Sequence, residues 1–193
     1  DRQQRGMLFA PIHWSQENAS SARVGALVAP LVDPFSGQPE NKATPVAMSA
    51  VAYAQHGFLL TRDLIAMPPD VWWARVAIVG GFGYLLAANT EATTWKSWVA
   101  AHTSDLAEYE DVAAGVYRAA AFDDGHLKTC LFVGPSTIAF DWQAVRELFV
   151  RKRLDDDQRS LLLSGKSADG MANAGPTGWS CFGVGRNRIC DSI

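Results

Sequence analysis

Residues 116–133 read VYRAAAFDDGHLKTCLFV. Two apolar-rich runs, 116–122 and 127–133, are joined through Asp123-Asp124-Gly125. That is the composition of a short β-hairpin connection, because a tight turn between twisted strands needs positive φ at its centre. Downstream, Trp142, Val145, Leu148 and Phe149 fall on one helical face, and Asp141 stands where its carboxylate can accept from the free N–H groups of the first turn. Asp155 or Asp156 starts a second helix that ends near Ser164-Gly165. A hairpin followed by two capped helices predicts a small α+β unit over residues 54–165.

Within that unit, Trp72, Trp73, Trp95 and Trp98 lie close together in sequence. Each indole buries a large area, so the rings predict a small satellite core; a carbohydrate or nucleobase platform is the competing reading. Helical pieces are predicted at 95–101 and 104–109, with Ser104 as an N-cap. Gly80-Gly81-Phe82-Gly83 lacks the strand-GxGxxG-helix setting of a nucleotide fold and reads as a turn. Residues 166–178, rich in Gly, Ala, Asn and Pro, read as a linker, which leaves 179–193 as a separate segment.

The first 53 residues are organised differently. Residues 7–12 and 26–30 are short apolar runs bounded by Gly and Pro and predict two strands of a mixed β core, and 44–53 predicts the strand that leaves it. Between the first two lies a polar stretch of small residues, 18–22, that lets backbone approach a flat ligand or simply makes a surface turn. In 33–42 (DPFSGQPENK), Pro34 presets a corner, Asp33 can bond the backbone ahead of it, and Gly37 admits positive φ. Several N–H groups are therefore expected to converge on one spot, with the charge of Lys42 nearby.

Composition excludes several functions. The 193 residues suit one compact domain or two small ones, and a 48% hydrophobic share is ample for a core. A net charge of −3 leaves no basic footprint for nucleic acid. The one cationic run, Arg151-Lys152-Arg153, is answered by Asp155, Asp156 and Asp157. No stretch approaches the roughly 20 apolar residues of a membrane span. Three scattered cysteines make no disulfide framework, which fits a reducing cytoplasm. The four histidines have no metal-ligand spacing, and neither a Gly-x-Ser-x-Gly elbow nor paired carboxylates stand out. The chain opens on Asp1 with no signal-like segment and reads as a fragment.

The order LFAPIHW (8–14), NASSARVGALVAP (18–30) and DPFSGQPENK (33–42) resembles the C-terminal molybdopterin-dinucleotide-binding domain of bacterial molybdenum oxidoreductases, most closely the assimilatory nitrate reductase catalytic subunit. The stretches GFLLTRD, PPDVWWAR, GVYRAAAFDDGHLKTCLFVGPS and CFGVGRN, within 57–187, resemble the extra C-terminal region of that subunit. The resemblance implies an α+β, β-rich fold: the tail of a β-barrel-like cofactor domain over 1–53, followed by the small α+β domain. The hairpin-and-helix unit itself resembles the C-terminal domain of NAD(P)H-dependent nitrite and rubredoxin-type reductases, a docking module in those enzymes.

The same resemblance assigns roles. His13 and Trp14 occupy positions that face the pterin, Lys42 matches a lysine that reaches it, and Asn41 stands where relatives often carry an aromatic residue. Read without the resemblance, His13-Trp14 is a packed pair and Lys42 a surface lysine. Gly25 stands where many relatives have an asparagine. Cys181-Phe182-Gly183-Val184-Gly185 resembles the start of a module that holds a 2Fe-2S cluster. Trp179, however, takes the place of the first of four cysteine ligands; Cys190 matches no ligand spacing and Cys130 sits mid-strand, so both read as structural. The implied cofactors are bis-molybdopterin guanine dinucleotide and a 4Fe-4S cluster in an upstream part of the same subunit, with the 2Fe-2S site incomplete. The implied partners are that upstream part and an electron-donor protein: a ferredoxin, a flavodoxin or an NADH-dependent reductase subunit.

Two function classes follow. One is part of a molybdenum nitrate reductase, reducing nitrate to nitrite, with a formate dehydrogenase-type enzyme as its near neighbour. The other is a non-enzymatic interaction or electron-transfer adaptor built on the α+β unit alone.

Overall fold

Asp124 and Gly125 both adopt positive φ, 45° and 78°, and so close the hairpin of a six-stranded sheet. The computed structural model describes residues 4–10, 14–39, 44–103, 105–151 and 153–164. These fall into two compact units, one up to Ala52 and the other from Tyr53 on. The second unit contains β1 (Gln55–Thr61), β2 (Trp72–Ile78), β3 (Gly81–Ala88), α1 (Ala92–Ala100), β4 (Leu106–Asp111), β5 (Val116–Asp123), β6 (His126–Gly134), α2 (Trp142–Val150) and α3 (Asp156–Ser164). Every neighbouring strand pair is antiparallel, in the order β2-β3-β1-β6-β5-β4. The result is a β-rich α+β fold.

Both faces of the sheet are covered, which is why its central strands are nearly continuous apolar runs rather than alternating ones. On one face Phe58, Leu60, Cys130 and Phe132 pack beneath Val145, Leu148 and Phe149 of α2 and Leu162 of α3. On the other, Leu59, Tyr84, Leu86, Tyr117 and Leu131 pack against Trp95 and Val99 of α1, with Val71, Met67 and Ile65 from the segment before β2. The tryptophans thus belong mainly to the second face of a single sheet, not to a satellite core. Trp95 is fully buried, donates from Nε1 to Gln55 Oε1 at 3.0 Å, and meets Trp98 edge-on. Trp73 meets Tyr84 in the same way.

The caps predicted at Asp141 and Asp155 form. Asp141 accepts from Ala144 N at 2.9 Å. Asp155 accepts from Gln158 N at 2.8 Å while Gln158 Oε1 accepts from Asp155 N at 3.2 Å, a reciprocal capping box. The helix expected at 104–109 is instead strand β4. LAEYED has no strong periodicity of its own, and the free edge of β5 takes it up in register from Leu106↔Ala121 to Asp111↔Val116. Ser104 lies outside the described residues. The glycine turn expected at 80–83 is confined to Val79-Gly80; Gly81 onward belongs to β3.

The first unit departs further from expectation. Among its described residues, regular structure is a 3-10 helix, Val24–Leu27, a bridge between Val32 and Pro39, and a bridge residue at Ala19. The strands expected at 26–30 and 44–53 do not form, and the described part of the run at 7–12 is irregular. A strand needs a neighbour for its backbone and for its apolar side chains. Here Leu8, Phe9, Val46, Met48 and Val51 are all exposed, and only Ala19 and Ala22 among the unit's described apolar residues are buried.

Candidate functional site

The turn that begins at Asp33 is the best-defined part of the first unit. Asp33 Oδ1 accepts from Phe35 N at 3.0 Å, Ser36 N at 2.7 Å and Ser36 Oγ at 3.0 Å. Asp33 O accepts from Gly37 N, whose φ of +70° lets the chain double back, and Asp33 N donates to Gln38 O. Ser36 Oγ accepts from Gln38 N at 3.2 Å. The Ser36 N–H, its hydroxyl and the Phe35 N–H all favour the charged carboxylate and hold the Asp33 carboxyl below the usual range. The expected convergence of N–H groups therefore occurs on the carboxylate of Asp33 itself. The N–H groups of residues 35–38 are thereby all engaged within the turn. What the turn presents outward is the ring of Phe35, 98% exposed.

Trp14 is half-buried. It precedes a tight turn in which Ser15 O accepts from Asn18 N and Ala19 N at 3.0 and 3.1 Å, and Ser21 takes a positive φ of 57°. Ala29 N donates to Thr44 Oγ1 at 3.2 Å, which ties 29 to the stretch after the turn. Of the residues proposed from the sequence, Trp14 is described; His13, Asn41, Lys42 and Cys181 lie outside the described residues. Phe35 was not singled out from the sequence. Its signal was an aromatic residue inside a Pro-x-Ser-Gly turn, where burial is not available.

No group of three or more His, Cys, Asp or Glu side chains able to hold a metal occurs among the described residues. Cys130 sits fully buried in β6, and burial pushes its thiol well above the ordinary range. A 2Fe-2S cluster takes four thiolates, whereas the chain has three cysteines and one of them is enclosed in this core. The residues of this chain therefore do not fit a complete cluster. A pterin wall makes a smaller demand, namely aromatic and polar groups presented on a surface; of the described aromatic residues of the first unit, Phe9 and Phe35 are exposed and Trp14 is half-buried. Among the described residues no helix is long and apolar enough to cross a membrane.

The whole chain aligns with a nitrate reductase of Klebsiella oxytoca, 32% identical over 196 aligned positions. The chain spans 22% of the length of that curated relative. No family model matches the chain, and no solved structure matches it significantly.

Proposed function

We propose that the chain is part of a molybdenum-dependent nitrate reductase of the assimilatory kind, in which residues 1–53 form one wall of the bis-molybdopterin guanine dinucleotide site and the second unit serves docking or electron delivery. The observation that carries this reading is the alignment, end to end, with part of a nitrate reductase. The first unit supports it independently: most of its large apolar side chains are exposed, as expected of a surface that packs against more protein or a large cofactor.

In this reading His13 and Trp14 contact the pterin, Lys42 donates to it or to a nearby phosphate, and Asn41 stands beside Lys42. The molybdenum group supplies oxygen-atom transfer, by which nitrate gives up one oxygen and takes up two electrons and two protons to leave nitrite and water. This chain would hold and orient the cofactor, and electrons would reach it from a ferredoxin, flavodoxin or NADH-dependent donor by way of a 4Fe-4S site in the upstream part of the subunit. No step is assigned to a 2Fe-2S cluster. The test is Lys42→Ala in the longer polypeptide that contains this chain. A charge-assisted hydrogen bond is worth about 1.5 to 3 kcal/mol, so molybdenum content or nitrite formation should fall by roughly tenfold or more. Unchanged metal content and turnover would return Lys42 to the surface.

A second reading, an interaction or electron-transfer adaptor, is favoured by the core that the second unit builds for itself on both sheet faces. Nitrate reduction that survives deletion of residues 54–193 from the longer polypeptide would favour it.

A further inference from the structure

The two edges of the sheet are guarded unequally. β4 carries Glu108, Glu110 and Asp111, and charges of this kind discourage pairing with another strand. β2 carries one charged residue, Arg75, and no proline, and among the described residues its strand pairing is with β3 alone, in unbroken register from Trp72↔Ala87 to Ile78↔Gly81. On its other side, alternate residues turn N–H and C=O groups outward.

The two faces flanking this edge differ chemically. Ile78 packs toward α2, so Val76 and Ala74 share its face. There a cleft opens with an apolar floor of Ile78, Val79, Phe149 and Val150, walled by Arg146 and Glu147 of α2. Val79 and Val150 are 68% and 53% exposed. On the opposite face the Arg75 guanidinium lies 5.8 Å from the centre of the Phe82 ring. Arg75 makes no ion pair among the described residues, and its buried Nε has no hydrogen-bond partner there.

We propose that the outer edge of β2 docks an extended segment of a partner protein, added as a further strand, with apolar side chains directed into the α2 cleft and carboxylates directed to Arg75. Period-two alternation along one strand delivers both chemistries at once, with main-chain hydrogen bonds supplying affinity and the alternate side chains specificity. A second copy of this chain offers an acidic edge in β4, but there Glu108 already accepts from Tyr117 Oη and Glu110 from Lys96 Nζ. A separate partner is therefore assigned.

The probe is a capped octapeptide of alternating valine and glutamate, set against the same peptide with lysine for glutamate. Each is added to the 193-residue chain and read by amide hydrogen exchange. With the glutamate peptide at about ten times its Kd, the outward amides of β2 should exchange roughly tenfold more slowly; the lysine peptide should leave them unchanged. In Arg75→Glu the preference should reverse. Arg75→Gln, with β1 and β6 protected as in the parent chain, should lose the preference without gaining the opposite one. Protection by neither peptide, equal protection by both, or protection on β4 instead overturns the proposal. Protection of β2 that grows with protein concentration in the absence of peptide also overturns it, in favour of a second copy.

Discussion

Arg62 shows how a single side chain can hold distant parts of the sheet together. Its Nε donates to Leu127 O at 3.2 Å, Nη1 to Gly80 O at 2.9 Å and Nη2 to Phe149 O, and the guanidinium sits 4.0 Å over the Phe149 ring. Burial lowers its pKa, yet three carbonyls and a ring compensate the charge. Arg62→Ala should lower the unfolding free energy by about 2 to 3 kcal/mol, read by urea denaturation. Arg62→Lys should recover only part of it, since an ammonium cannot reach three carbonyls in a planar fork; full recovery would show that charge alone matters. Asp33 has the opposite character, being local and exposed. Its folded pKa is depressed, so its contribution to the turn is complete above the unfolded value of about 3.9 and is lost as pH falls through the lower folded value. The Ser36 amide should report that lower midpoint in an NMR titration; a midpoint like that of a free aspartate would mean that the turn is not formed. Asp33 was legible in the sequence because its partners are two and three residues away. Arg62 was not, because its partners are 18, 65 and 87 residues distant.

At the scale of elements, legibility follows the same rule. The β5–β6 hairpin and helices α2 and α3 announce themselves through a two-residue turn and side-chain caps, all short-range. Removing one cap, in Asp141→Ala, should cost about 1 kcal/mol and shift the urea midpoint without changing the slope; no shift would show that packing of Val145, Leu148 and Phe149 sets the stability of α2 alone. β4 was misread because Leu106–Asp111 has weak helical and weak strand character, and the unpaired edge of β5 decides between them. Strands β1 and β3 were not recognised because burial on both faces removes the alternation that marks a half-exposed strand, and β2 because WWARVAI carries one charged residue and no polar alternation. Long-range contacts also use side chains that read as loop residues: Arg118 of β5 donates to Leu163 O and Ser164 O and so satisfies the last carbonyls of α3.

At the scale of the whole molecule, the two units differ in how they meet the entropy of folding. The second builds cores on both sides of one sheet. The first relies on the Asp33 turn and a short 3-10 helix, and leaves Leu8, Phe9, Leu31, Phe35, Met48 and Val51 exposed. Of the candidate site, the turn chemistry and the aromatic character were legible, whereas the spatial arrangement was not, because the first unit contributes too little buried surface for sequence pattern to fix it. Segments with few buried contacts open locally at little free-energy cost. The most direct measurement of the account is therefore hydrogen exchange along the 193-residue chain. It predicts fast exchange over 14–23 and 35–39 and slow exchange in β1, β5 and β6; equal, strong protection in both units would contradict it, because the first unit would then complete a fold within this chain instead of serving as one wall of a larger site.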